Sequence, residues 1–147
     1  MISISIGQGE ILATPLQIAN LAATIANRVH YYSPQVIHDS QDTIIPDTFK
    51  IKQRTLIDTK WYDWVVDGMR HAATNGTVYR AGNMDPEGIE LCGKTGTAQN
   101  PHGKDQSAFM GFAPKNNPQI AVCCYVENGG FGATFGVPIG TLLIEKY

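Results

Sequence analysis

Leu91-Cys92-Gly93-Lys94-Thr95-Gly96-Thr97-Ala98 is the stretch on which the reading of this chain turns. Apolar residues lead into a Gly-Lys-Thr-Gly-Thr core, and turn chemistry follows at Asn100-Pro101 and His102-Gly103. With Gly88 it satisfies G-x-x-x-x-G-K-[ST], the signature of a loop that cradles phosphates. Such a loop must be fed by a buried strand and must open a helix at the Lys-Thr pair. The residues before Gly88, Gly82-Asn83-Met84-Asp85-Pro86-Glu87, are turn formers instead. Ile89-Glu90-Leu91-Cys92 alternates apolar and polar like extended chain, and Gly96 to Pro101 is poor helix material. The stretch therefore reads as a strand. A helix beginning at Thr95 would favour the alternative, a P-loop-like nucleotide binder.

Two further strands follow. Ser107 to Ala113 is closed by Pro114, and Gln119 to Glu127 forms the third. Short loops containing Gly, Pro and Asn join them, which predicts an antiparallel meander with the first strand over 89–99. Gly93 and Gly96 then mark points where a ligand or another backbone comes close.

Helices surround these strands. Thr14 is an N-cap, Pro15 takes the first helical position and Gln17 completes a capping box, so a helix runs to about Asn27-Arg28 with Ile18, Leu21, Ala22, Ile25 and Ala26 on one face. A second starts near Asp58 and stops at Asn75-Gly76, and Trp61, Trp64, Val65, Gly68, Met69 and Ala72 are its expected core stripe. A third begins near Val137-Pro138, with Ile139, Leu142, Leu143 and Tyr147 toward the sheet. Ile2, Ile4 and Ile6 alternate with serines and read as extended chain; 29–54 carries short strand-like pieces and turns, broken at Ser33-Pro34 and Ile45-Pro46, and reads as irregular surface structure, and 77–88 reads as turn-rich. The glycine-rich run Asn128 to Gly136 carries no Lys or Arg, so it reads as a flexible connection and not as an anion nest. The sum is an α+β fold, one antiparallel sheet flanked by helices.

Composition limits the function classes. The 147 residues, 43% of them apolar, suit one globular domain. A net charge of −2 offers no electrostatic case for a nucleic-acid partner or an anionic membrane. No apolar run reaches the roughly 18 residues of a membrane span. Met1 to Ile6 has no basic region or cleavage pattern, so it does not read as a signal peptide. Cys92, Cys123 and Cys124 read as small buried apolar side chains, and adjacent Cys123 and Cys124 point to opposite faces of a strand. His30, His38, His71 and His102 are scattered, and no Cys/His spacing suggests zinc; neither a metal nor a cofactor is expected.

Taken as an ordered set, Lys94-Thr95-Gly96-Thr97, the run Ser107-Ala108-Phe109-Met110-Gly111-Phe112-Ala113-Pro114, Gly7-Gln8-Gly9 and Ala13-Thr14-Pro15-Leu16-Gln17 resemble the C-terminal part of a class B penicillin-binding protein transpeptidase domain. Asn100 to Asp105 and Glu127 to Gly130 bring the resemblance nearest to the elongation-type penicillin-binding protein 2. Val29 stands where the resembling family usually turns through Gly. The resemblance implies a partial penicillin-binding transpeptidase or serine β-lactamase-like fold with five strands, of which three are supplied here. It implies that Lys94 is a catalytic cation and proton relay, and that Thr95, Gly96 and Thr97 bind substrate. The Thr97 hydroxyl would take the substrate carboxylate and its backbone N–H would form half of the oxyanion hole. Strict strand alternation, however, puts Thr95 and Thr97 on the face opposite Lys94.

The family's nucleophile sits in S-x-x-K and a further relay in S-x-N. None of Ser3, Ser5, Ser33, Ser40 and Ser107 has Lys three residues on or Asn two residues on. Residues 1–147 are therefore expected to be the C-terminal part of one transpeptidase domain, with both motifs preceding residue 1 and no activity in isolation. The implied partners are peptidoglycan stem peptides and β-lactams, and the implied location is the periplasm or cell envelope. A β-lactam sensor or a serine β-lactamase is the alternative within the superfamily, and a non-catalytic interaction module the alternative outside it. Self-association through the 119–127 edge is also expected, because an unpaired strand exposes backbone donors and acceptors.

Overall fold

The computed structural model describes residues 7, 11–36, 45–79 and 88–147. The extended reading of Ile2 to Ile6 and much of the approach to the first strand lie outside these residues. Helix α1 is Pro15–Ala26, and its start follows from local chemistry. Thr14 Oγ1 accepts from the Gln17 amide at 3.3 Å, while the Thr14 amide donates to Gln17 Oε1 at 2.8 Å, so two otherwise orphaned donors are satisfied. The chain reverses through Arg28 and Val29, at φ +50° and +111°. A β-branched residue is strained there, and glycine would sit without penalty.

The stretch after this turn is less irregular than expected. Strand β1 (His30–Tyr31) pairs antiparallel with β2 (Gln53–Arg54), with a 3₁₀ turn at Asp47–Phe49 between them. Helix α2 (Lys60–Thr74) follows, and Asp58 Oδ1 accepts from the Lys60 amide at 3.1 Å. The three expected strands then form one sheet in the order β3 (Cys92–Ala98), β4 (Gln106–Ala113), β5 (Ile120–Val126), both pairings antiparallel. Helix α3 (Gly136–Lys146) closes the described fold.

The sheet is covered on both faces. On one, α1 and α2 pack Ile25, Ala26, Val29, Tyr62, Val66 and Met69 against Cys92 and Phe112. On the other, Val137 and Ile144 of α3 pack with Phe109, Val122 and Leu91. Strand alternation assigns the sides, so Lys94 and Gly96 share the face of Cys92, while Thr95 and Thr97 share that of Leu91 and Gly93.

Two helix faces differ from expectation. In α2 Met69 is buried as expected, while Tyr62, Val66 and Ala73, one position round from the rest of the expected stripe, complete the buried face. Trp61 is 55% exposed and Trp64 75% exposed. The helix carries two adjacent apolar stripes, and the smaller residues win the core because they fit close against β3. The Tyr62 hydroxyl pairs with Thr55 Oγ1 at 2.6 Å, which makes burial of the phenol affordable. In α3, Val137, Gly140, Thr141 and Ile144 face the sheet, whereas Ile139, Leu142, Leu143 and Tyr147 face outward. The reason is Phe109, whose ring occupies the place where a large α3 side chain would otherwise lie.

That ring is seated among glycines. A methyl group at Gly93 would stand 2.5 Å from Phe109 Cε2, and one at Gly111 would stand 2.6 Å from Phe109 Cζ. One at Gly140 would overlap Phe109 Cδ1. The close approach expected at Gly93 is thus made by an aromatic ring and not by a ligand.

These contacts separate two helical glycines. Gly68 in α2 has open space where a methyl group would go. Gly68→Ala should stabilise by about 0.5–1 kcal/mol through helix propensity. Gly140→Ala gains the same propensity but incurs about 1–3 kcal/mol of overpacking, so its net effect should be a loss. Urea unfolding midpoints read both changes, and an upward shift for Gly140→Ala would contradict the glycine socket.

Candidate active site

Strand β3 runs as sheet through Lys94 and Thr95 to Ala98, with no helix at the Lys-Thr pair. This removes the phosphate-loop reading, whose backbone geometry requires that helix. Among the described residues β3 pairs only with β4, in the register Lys94↔Met110, Gly96↔Ala108, Thr97↔Ser107.

The four expected site residues divide between the two faces. Lys94 is exposed, and its Nζ donates to the Thr95 carbonyl at 2.7 Å. Beside it lies a trough of about 170 Å³, bounded by Ile18, Gly96, Ala108, Met110 and Cys123. It is flanked by a larger groove of about 440 Å³ between the start of α1 (Ala13, Pro15, Ile18) and Gly96, Thr97, Ala98, Ala108 and Tyr125. A methyl group at Gly96 would make only ordinary contact with Ala108 Cβ, at 3.5 Å, so that residue's own side stays open.

On the opposite face the threonine hydroxyls are held by protein groups. Thr95 Oγ1 and Thr77 Oγ1 share a hydrogen bond of 2.9 Å. Thr97 Oγ1 accepts from the Gly132 amide at 2.9 Å. The conflict between Lys94 and the threonine hydroxyls is therefore real: the strand presents them on opposite sides, and Thr95 and Thr97 have partners positioned for them.

The partner of Thr97, Gly132, lies in the run expected to be a flexible connection, and the structure corrects that expectation. Residues 127–135 cross the end of β3 and β4 and are stitched down. The Asn100 side-chain amide donates to Asn128 Oδ1 at 3.0 Å, the Asn128 amide to Gln106 Oε1 at 2.7 Å, and the Gly130 amide to the Asp105 carbonyl at 2.7 Å. Asn128 and Gly130 have φ of +54° and +76°, which lets the strap reverse direction. Ser107 Oγ, fully buried, donates to the Gly132 carbonyl and accepts from the Gly136 amide, both at 3.1 Å. Thr77, Ser107 and Gly132 are site residues that sequence reasoning missed. The links span 18 to 35 residues, and only the tertiary fold brings them together.

The cysteines are free, with Cys92 and Cys124 buried and Cys123 half-buried. Burial pushes the Cys92 thiol up to about 11, outweighing Arg70, Lys115 and Arg28, and it pushes the Cys123 and Cys124 thiols upward too. Among the described residues no group of three or more His, Cys, Asp or Glu could hold a metal ion, and no helix is long and apolar enough to cross a membrane.

A meander whose strand β3, paired only with β4 among the described residues, carries Lys-Thr-Gly-Thr beside a groove is the candidate site of this chain. Residues 1–140 match the transpeptidase family described as penicillin binding protein transpeptidase domain, and the chain belongs to that family. It is 30% identical, over 95% of its length and 30% of the relative's, to the peptidoglycan D,D-transpeptidase PbpA of Mycolicibacterium smegmatis. In structure it is similar to the imipenem acyl-enzyme complex of penicillin-binding protein A from M. tuberculosis, with a TM-score of 0.80 and 28% identity, covering 97% of this chain and 32% of that one. It is also similar to PBP2 of Pseudomonas aeruginosa in complex with WCK 5153, with a TM-score of 0.73 and 37% identity, covering 95% and 30%. The chain thus spans about a third of the length of these relatives.

The burial of Cys92 has a measurable consequence. An ordinary thiol ionises near about 8.5, while folded Cys92 holds its proton to about 11. A raised folded-state value stabilises fully below the unfolded value and is lost as pH climbs to the folded one. Stability should therefore fall between about pH 8.5 and 11, less steeply in Cys92→Ala. At pH 8 the native Cys92 thiol should resist iodoacetamide while the urea-unfolded chain reacts, as peptide mapping would read.

Proposed function

We propose that this chain supplies one wall of the acyl-transfer site of a peptidoglycan D,D-transpeptidase, the C-terminal part of a domain whose nucleophile-bearing segment is not among these 147 residues. The observation that carries the reading is Lys94-Thr95-Gly96-Thr97 on an edge strand beside the groove under α1. In that reaction a serine Oγ attacks the carbonyl before the terminal D-Ala of a stem peptide. The serine ester forms as the amide C–N bond breaks, and the serine proton leaves with the D-Ala amine. An amine of a second stem peptide then attacks the ester and regenerates the serine.

Lys94 lends positive charge and a proton relay near the nucleophile and leaving group, a general acid–base contribution of about 10²–10⁴-fold. Gly96 keeps the strand edge open for an extended substrate, and Thr95 and Thr97 recognise it. The Thr97 backbone N–H serves as one of the two oxyanion donors. β-Lactams are the acylating mimics of the same donor. Peptidoglycan as substrate locates the site in the periplasm or cell envelope. In isolation the chain self-associates through the β5 edge, which among the described residues pairs only with β4.

Intact mass after penicillin exposure tests this. The chain alone should gain no adduct, because none of its five serines is followed by Lys at the third position. Refolded together with the nucleophile-bearing segment of its parent, it should yield one adduct, mapped to a serine of that segment. Lys94→Ala should slow the appearance of that adduct by about 10²-fold or more. No adduct in a folded wild-type mixture would refute the reading, and rapid loss of the adduct by hydrolysis would indicate a β-lactamase instead. Light scattering should show dimers or larger species of the isolated chain, and a monomer at high concentration would exclude self-association.

A further inference from the structure

We propose that Ser107 is a positioning residue for substrate recognition, acting on Thr97 through the strap at Gly132. The inference rests on the transpeptidase reading for its reaction and on independent geometry for its clamp. Ser107 stands directly opposite Thr97 in the β3–β4 register, on the same face of the sheet. It has no solvent exposure. A buried hydroxyl needs hydrogen-bond partners, and this one has two backbone groups, one in the strap and one in the first turn of α3. Its proton goes to the Gly132 carbonyl and its lone pair takes the Gly136 N–H. The same Gly132 residue then donates its own N–H to Thr97 Oγ1.

The outcome is a short relay of fixed position, from the first turn of α3 through Ser107 to Gly132 and on to the Thr97 hydroxyl. Gly132 lies so close to β3 that a methyl group there would overlap the Gly96 carbonyl oxygen and stand 2.9 Å from that of Ala108. Only glycine brings a backbone N–H this near to Thr97. Without Ser107 the Gly132 carbonyl and the Gly136 amide lose their buried partner, and the Gly132 N–H that meets Thr97 Oγ1 is less firmly placed. The threonine hydroxyl then meets the carboxylate of a substrate less often in a productive position.

Two measurements decide it. The first is amide hydrogen exchange of the 147-residue chain, read by NMR. In Ser107→Ala the Gly132 and Gly136 amides should exchange at least tenfold faster while Met110 and Cys123 in mid-sheet stay protected. Ser107→Cys keeps the volume and offers only a weak donor, so it covers the case in which the alanine variant fails to fold. It should loosen the same two amides. Thr97→Val should release Gly132 and leave Gly136 protected. Gly132 protection unchanged in a folded Ser107 variant overturns the clamp.

The second measurement is the penicillin acylation rate of the chain refolded with the nucleophile-bearing segment. Ser107→Cys should lower the rate about tenfold for a penicillin carrying its free carboxylate and much less for the methyl ester of the same penicillin. Equal losses for acid and ester would mean a structural role only and would overturn the assignment to recognition. Absence of acylation in the wild-type mixture would defeat the transpeptidase reading and with it the recognition role, while the exchange data would still decide the clamp.

Discussion

The Phe109 ring is the constraint on which the arrangement depends. It rises from the middle of β4 and fills the space left by Gly93 of β3, Gly111 of β4 and Gly140 of α3. Three elements are thereby registered by one rigid group. A side chain on any of the three glycines would push the ring or lift α3 from the sheet, in an interior with little free volume to absorb the change. Because α3 is held close, its first turn and the strap before it arrive at the end of β3, where Thr97 is. A substitution at Gly140 therefore bears on the site strand, although it lies one layer away from it.

The same packing explains how one strand serves two faces. Alternation forces Lys94 toward the α1 side and the two threonine hydroxyls toward the α3 side. Among the described residues β3 has a partner strand on one side only, so side chains of both faces border the same edge. Each face also has its own support. Lys94 bridges back to the Thr95 carbonyl, Thr95 pairs with Thr77, and Thr97 is held by Gly132.

Much of this was legible in the residues. The capping box at Thr14 and Gln17, the three strands and the Pro114 that ends β4 are local signals, and local signals survive folding. Lys94, Thr95, Gly96 and Thr97 were legible as a strand, and the ordered set of motifs around them pointed to the family. The α1 face was legible in Ala22, Ile25 and Ala26, although Leu21 is exposed, but the faces of the other two helices were not. In α2 the large tryptophans marked the outer stripe, while Tyr62, Val66 and Met69 took the core. In α3 the glycine that looks like a weak point in the helix is the one that admits Phe109. Burial there is settled by shape across two elements, and periodicity within one element carries no information about that shape.

The glycine-rich run makes the same point about sites. Read alone, Asn128 to Gly136 has the composition of a flexible connection. In place, its glycines do the opposite of loosening the chain. Gly132 lets the backbone press against β3, and Gly136 brings α3 near Ala108 and Phe109. Backbone N–H groups then do what side chains cannot do in so little room, since they reach Thr97 and Ser107 with almost no conformational entropy left to lose once the strap is docked. Glycine content measures freedom in the unfolded chain, whereas the hydrogen bonds and close contacts of the folded chain decide whether any of that freedom remains.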